Sequence, residues 1–299
     1  MRCPLCFGSN TALQDSLGAE EIASRWERMH GIDLRSEFGD VIAVDFYRCF
    51  ECRLGFFKPD SVAGSSRLYE ELGRREWYYL PRKWEHDAAL QDMNGARNGL
   101  EVGCGYGAFV ARVTAERKIP FEGCEQNPSA VKVGESNGIP IRLERLEDIA
   151  ARCTAAYDVV CSFQVLEHVT DPRGFLKTSC NLLRPGGKLM VGVPNAESSI
   201  VRFLNFFDAP PHHMTRWTGE VFRRLPRWFP LDLIRIACEP LEDSRVGSFV
   251  EANEGFFRRF GLRSLPHPRI RSLAIRLIGN PKLRRFLKGE TIYACYRRR

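Results

Sequence analysis

The chain has 299 residues, 44% hydrophobic and 27% charged, enough to bury a full core and more than one minimal domain needs. It contains no apolar run of about 18 residues, and Met1-Arg-Cys-Pro-Leu-Cys6 lacks the apolar centre of a secretory signal, so a cytoplasmic protein without a membrane span is expected. The net charge of +7 is uneven, because residues 256–299 carry 13 Lys and Arg against the one acid Glu290, leaving +12 there and −5 elsewhere.

Eleven cysteines, an odd number scattered along the chain, read as reduced thiols and metal ligands rather than a disulfide framework. Cys3-Pro-Leu-Cys6 and Cys49-Phe-Glu-Cys52 form two Cys-x-x-Cys knuckles separated by 42 residues. Four thiolates at this spacing suit tetrahedral zinc, and a site closed by four of them leaves no open position for catalysis. Strands are expected at 41–47 and 54–57, with a helix from about Gly18 to Met29 inserted between the knuckles, so residues 1–64 read as a zinc-ribbon-like domain with a structural Zn2+. A redox role is disfavoured because neither knuckle precedes a helix in a βαβ setting. Ser61 to Ser66 is turn-rich and reads as a hinge. The stretch 65–96 is expected to be linking or lid helix, helical from Arg67 to Asp92 and rich in aromatic residues, with Tyr78 and Tyr79 as candidate walls of a pocket.

Leu100-Glu-Val-Gly-Cys-Gly-Tyr-Gly107 is a short buried strand followed by glycines at every second position and then a helix. A side-chain-free turn at the carboxyl end of a parallel strand lets a ligand approach the backbone. The third glycine falls one residue earlier than in the dinucleotide pattern, which favours a cofactor without a pyrophosphate. Alternating units follow. Strand 121–124 precedes a helix opened by Asn127 and Pro128, and strands at 139–143 and 157–163 precede a helix opened by Asp171 and Pro172. Strand 188–193 comes next, with further strands at 231–238 and 290–296. The pattern argues for an α/β fold, a parallel sheet with helices on both faces. An insertion at 241–288 carries Ile270, Leu273, Ala274, Leu277 and Ile278 at helical spacing beside Arg269, Arg271 and Arg276. Such a basic amphipathic stretch suits either a solvated cover or an anionic membrane surface.

Glu101-Val-Gly-Cys-Gly-Tyr-Gly107 resembles motif I of the class I S-adenosylmethionine (SAM) dependent methyltransferases, in their UbiG/UbiE-like group. Phe121-Glu-Gly-Cys-Glu125 resembles their second strand, Tyr157 to Val169 their fourth motif, and Leu183-Arg-Pro-Gly-Gly-Lys to Asn195 their fifth strand. The resemblance implies a Rossmann-like, seven-stranded, mostly parallel sheet in a methyltransferase domain at 97–299. It also implies SAM contacts at Glu101, Gly103, Cys104, Gly105, Gly107, Glu125, Gln126, Leu146, Glu147, Phe163 and Gln164. Glu125 would hold the ribose hydroxyls, and Arg145 stands at the commonest acidic position before Leu146 and Glu147.

Asp208-Ala-Pro-Pro-His-His-Met-Thr-Arg-Trp217 corresponds to the loop after strand five, which faces the methyl donor in that family. A similar His-rich loop occurs in its sugar and glycan methyltransferases, where Pro211-His212-His213 replaces a His-Glu-His run. His213 is therefore the first candidate base, with His212 and His168 after it. The expected activity is methyl transfer to a hydroxyl or carbon of a sugar or glycan in a bacterial polysaccharide or sugar-nucleotide pathway. Peripheral contact with the inner face of an anionic membrane is one expected use of the basic segment. The alternative is an rRNA or tRNA methyltransferase that binds RNA through the zinc ribbon and the basic tail. A non-catalytic binding protein is the third reading, opposed by the intact glycines and Glu125. The residues do not bear on oligomeric state.

Overall fold

The computed structural model describes residues 1–198, 206–247, 276, 279, 280 and 287–299. The chain opens with β1 (Thr11–Gly18), α1 (Ala19–His30), α2 (Arg35–Phe38), β2 (Ala43–Cys49) and β3 (Gly55–Lys58). Helix α1 buries Ala19, Ile22, Ala23 and Trp26, a stripe at helical spacing, and ends at Gly31 with φ of 67°. Strand β1 was not anticipated. Its four central residues are exposed, so it carries no alternating apolar signal, and its order comes from antiparallel pairing with β2.

Next come α3 (Ser66–Gly73) and α4 (Trp84–Asp92). The single helix expected from Arg67 to Asp92 is thus two, interrupted at 74–83. Pro81 sits inside the break, and a proline there removes an amide donor and clashes with the preceding turn. Ser65 caps α3 by accepting a hydrogen bond from Leu68 N at 3.3 Å.

The remaining elements are β4 (Gly99–Val102), α5 (Ala108–Arg117), β5 (Phe121–Glu125), α6 (Pro128–Ser136), β6 (Ile141–Leu143), α7 (Leu146–Arg152), β7 (Tyr157–Phe163), α8 (Pro172–Leu182), β8 (Leu183–Pro194), β9 (Thr215–Arg216), α9 (Gly219–Arg224), β10 (Leu231–Pro240) and β11 (Lys288–Arg298). Seven strands form one sheet in the order β10-β11-β8-β7-β4-β5-β6. Pairing is parallel from β8 through β6, and β11 runs antiparallel to both neighbours. The expected caps hold: Asn127 Oδ1 accepts from Ser129 and Ala130 N, and Asp171 Oδ1 accepts from Gly174 N. Strand order reverses at β4, and the crevice beyond the carboxyl ends of such strands is where open α/β sheets bind ligands.

The amino-terminal sheet is not a self-contained ribbon. Its order is β1-β2-β3-β9, so its last strand comes from beyond the seven-stranded sheet's fifth strand in sequence. Cys3, Leu5, Cys49, Cys52 and Phe56 share one apolar cluster with Leu166, Trp217, Phe222 and Phe229. The stretch read as a hinge is tied down as well, since Gly64 N donates to Pro211 O at 2.8 Å and Ser65 N to Glu37 Oε2 at 2.9 Å. An edge strand gains a partner for its unpaired backbone this way, which explains why the boundary near residue 64 is a boundary in sequence only. The apolar stripe from Ile270 to Ile278 and most of the basic segment lie outside the described residues, and among the described residues no helix is long and apolar enough to cross a membrane.

Candidate active site

Strand β4 ends against the glycine turn. Gly103, Gly105 and Gly107 all have positive φ (72°, 54° and 79°), a region costly for residues with a Cβ. Close approach adds to the requirement at Gly105, where a Cβ would meet Tyr79 Cδ1 at 2.7 Å. Gly107 faces elsewhere. A Cβ there would meet Ile141 Cδ1 at 2.6 Å and Ile139 Cγ2 at 2.7 Å, so its expected place among the cofactor contacts is corrected to close packing at the start of α5.

Glu125, at the end of β5, lies across this turn. Its Oε2 accepts from Gly105 N at 2.9 Å, and its Oε1 accepts from Gln126 N at 2.7 Å and Asn127 N at 2.9 Å. A carboxylate has about four acceptor positions, so one is left for a ligand. Glu101 is 3% exposed and its Oε2 has no protein partner; burial pushes its pKa up to about 8. Gln126, Cys104, Leu146, Glu147 and Phe163 line the same cleft, with Glu147 at the rim 3.4 Å from Arg145. Gln164 also lines it, at φ of 58°, and its Nε2 donates to Glu85 Oε1 at 2.9 Å.

The cleft encloses ≈ 1070 Å³ and continues from the glycine turn to the histidines. His168, His212 and His213 come together from two loops, the one after β7 and the one before β9. Ring centroids are 4.8 Å apart for His168 and His212, 4.9 Å for His168 and His213, and 4.2 Å for the stacked pair His212 and His213. His168 Nδ1 lies 2.6 Å from His212 O, His212 Nδ1 lies 3.1 Å from Phe207 O, and His213 Nδ1 lies 3.3 Å from Asp208 Oδ1. Burial lowers the pKa of all three, to about 4 for His168 and well below the usual value for His212 and His213, so neutral rings occupy the cleft.

Aromatic residues of the segment between α3 and α4 cover the cleft, as the lid reading expects: Trp77, Tyr78 and Tyr79 all line it, with Tyr69 from α3 and Phe207 opposite. Tyr79 packs on Tyr106 at 4.6 Å between centroids, and Tyr69 donates to His212 O at 3.2 Å. Sequence reasoning missed two groups here. Glu167 is 1% exposed, both its carboxylate oxygens lack a protein partner, and burial pushes it up to about 8. Asp208, itself pushed up by burial, orients His213. The only signal for either was its place within a motif already read, beside His168 and at the head of the His loop.

Away from the cleft, one sulfur from each of Cys3, Cys6, Cys49 and Cys52 lies within 4.8 Å of the others, with Cys3 to Cys52 at 3.5 Å and Cys6 to Cys49 at 3.6 Å. Sulfurs at about 2.3 Å around a tetrahedral zinc would stand roughly 3.8 Å apart, so the spacing suits that ion. The hydrogen bond with Cys52 draws the Cys3 pKa down to about 6 and pushes Cys52 up in turn, while burial pushes Cys6 up to about 12, so a bound cation would be needed to hold all of them as thiolates.

The family described as "Methyltransferase domain" matches residues 74–239. The ubiquinone biosynthesis O-methyltransferase of Xanthomonas oryzae pv. oryzae (strain PXO99A) is 33% identical over 121 residues, covering 38% of this chain and 50% of the relative. The chain therefore spans about half the length of the curated relatives it matches. Among solved structures, a SAM-dependent methyltransferase from Archaeoglobus fulgidus has a TM-score of 0.50 at 18% identity, covering 79% of this chain and 95% of that one. A chain of the complex between the Haloferax volcanii Trm112 methyltransferase activator and a methyltransferase has a TM-score of 0.55 at 15% identity, covering 78% and 97%. At such identities the structural likeness speaks to the fold, the Rossmann-like sheet.

Proposed function

The chain belongs to the methyltransferase-domain family, and on that premise we propose that it transfers the methyl group of SAM to a hydroxyl oxygen of a small-molecule acceptor bound against the three imidazoles. One observation carries the reading: a single cleft joins the glycine turn, Glu101 and Glu125 at one end to His168, His212 and His213 at the other. The residues present fit SAM. Glu101 has one buried oxygen, Oε2, without a protein partner, suited to an ammonium group, and Glu125 keeps an acceptor position suited to a ribose hydroxyl.

When bound, SAM supplies a methyl already activated by its sulfonium, so the protein has to align the acceptor and dispose of one proton. The glycine turn admits the cofactor to the backbone, and the aromatic lid excludes water from the reacting centre. The residues at the imidazole end would hold the acceptor hydroxyl and take its proton, a neutral imidazole or the enclosed Glu167 carboxylate serving as the acceptor.

A hydroxyl on a planar, apolar ring suits this cleft better than a sugar does. Tyr69, Trp77, Tyr78 and Phe207 offer apolar faces near the imidazoles, and the similar proteins named above act in ubiquinone biosynthesis as O-methyltransferases. Neither the glycan acceptor expected from the sequence nor RNA finds support in these comparisons, and the basic segment that motivated RNA and membrane contact lies outside the described residues. Structural zinc on Cys3, Cys6, Cys49 and Cys52 belongs to the same reading.

Calorimetry with SAM, followed by detection of S-adenosylhomocysteine with phenols, catechols, sugar nucleotides and RNA as acceptors, tests the assignment. Turnover confined to sugar nucleotides or RNA would overturn the acceptor class. Failure to bind SAM would overturn the activity itself.

A further inference from the structure

At the imidazole end of the cleft the polar atoms turned toward one another are acceptors. A carbonyl oxygen can only accept, so the Nδ1 of His168, held by His212 O, and the Nδ1 of His212, held by Phe207 O, both carry the proton. Their Nε2 atoms therefore carry lone pairs. His213 Nδ1 lies 3.3 Å from Asp208 Oδ1, a neighbour on the same side of the ring as the carbonyls that anchor the other two. Among the described residues His212 Nε2 has no hydrogen-bond partner, although it is fully enclosed. Glu167 adds two enclosed carboxylate oxygens, likewise unpartnered, with Oε1 3.8 Å from His168 Nε2. Ring nitrogens and an unpartnered carboxyl group are thus gathered out of water, with the Arg216 guanidinium 4.0 Å from Asp208 as the neighbouring charge, and enclosed acceptors of this kind are costly unless a guest pairs with them.

One ring nitrogen from each of the three histidines lies within 4.8 Å of the other two. Anchoring Nδ1 on a carbonyl or carboxylate is also how proteins orient imidazoles toward a metal, since it settles the tautomer and aims Nε2. We propose that His168, His212 and His213 form a binding site for a divalent first-row transition-metal ion, distinct from the four-cysteine site. Imidazole nitrogens suit zinc, nickel, iron or copper. Three protein ligands would leave at least one position open, unlike four thiolates, and the three histidines line the cleft. In the methyl-transfer reading, such an ion would make an acceptor hydroxyl more acidic, and with the imidazoles as ligands the proton would pass to the Glu167 carboxylate beside His168. Only this last role rests on that reading; the metal site stands without it.

Full-length protein titrated with Co2+ and followed by absorption tests the site. The cysteine site is expected to give thiolate-to-cobalt charge transfer. The histidine site should add one further equivalent with visible d–d bands and no additional charge transfer. His213→Asn and His168→Gln should each abolish that equivalent and keep the first, whereas Cys49→Ser should do the reverse. Circular dichroism checks that each variant is folded, and Zn2+ content after loading and desalting gives an independent count. Wild-type protein that takes up no equivalent beyond the cysteine site overturns the proposal, as does a second equivalent that persists in both folded histidine variants. SAM calorimetry on the same wild-type samples keeps the two readings apart. Binding of SAM without a second metal sinks the metal site alone, and a second metal without SAM binding sinks the methyltransferase reading alone.

Discussion

Phe57 N donates a 2.9 Å hydrogen bond to Met214 O, joining the edge of the amino-terminal sheet to the residue that follows His213. Met214 N in turn donates to Glu167 O at 2.8 Å, so one residue of the His loop is gripped by both parts of the fold. Trp26 of α1 reaches the same loop, with Nε1 donating to Phe206 O at 3.0 Å and its ring stacked on Phe207 at 5.1 Å. A loop of two prolines and two buried histidines gains its order from these outside contacts, one of them from strand β3, which shares its sheet with Cys49 of β2.

Loss of the cysteine-bound metal should therefore act on the acceptor end of the cleft and spare the cofactor end. Cys49→Ser is expected to remove one zinc equivalent and lower turnover by roughly 10-fold or more, as loss of supporting contacts to reactive groups commonly does. SAM affinity should change by no more than a factor of about 3, because Glu125 is held by the amides of Gly105, Gln126 and Asn127 and not by the amino-terminal sheet. Elemental analysis, calorimetry and steady-state rates on one preparation decide this, and an equal fall in SAM affinity would contradict it.

Glu125→Ala removes the acceptor of three backbone amides as well as the group proposed to hold the ribose. The expected loss in SAM binding is about 2 kcal/mol, or roughly 30-fold in Kd. Glu125→Gln should lose less, since its carbonyl oxygen still accepts. Calorimetry that finds both variants unchanged would remove Glu125 from the site.

Two alanine substitutions in the glycine turn should separate binding from stability. Gly105→Ala puts a Cβ against Tyr79 at the cleft wall, and SAM affinity should fall while Tyr79 is displaced. Gly107→Ala drives a Cβ into Ile139 and Ile141, where overpacking and positive φ together should cost about 2–4 kcal/mol of folding stability. Thermal melts and SAM titrations run on both variants should show opposite patterns.

Asp158 sets an acid limit on stability. Burial raises its pKa, but hydrogen bonds from Arg97 and Arg184 outweigh this and hold it at about 2. A carboxylate depressed in the folded state stabilises it fully above its unfolded value near 3.9, and the contribution, about 1–2 kcal/mol, is lost as pH falls toward 2. Asp158→Asn should lower the melting temperature at pH 7 and narrow its difference from wild type at pH 2–3.

Much of the catalytic sheet was legible because its signals are local. A strand of seven buried or half-buried residues at Tyr157–Phe163, the caps Asn127 and Asp171, and the alternating glycines each report the backbone at their own position. The division of the aromatic stretch into two helices had a local signal too, in Pro81. What the residues alone determined about this protein is its α/β sheet, its glycine turn and a set of four cysteines at the spacing of a metal site. Tertiary structure alone decided that β9 completes the amino-terminal sheet, that Gly107 packs on Ile139 and Ile141, and that Glu167 joins three oriented imidazoles. Each of those is a meeting of segments far apart in the chain, and such meetings depend on the packing of whole elements, which no local propensity encodes.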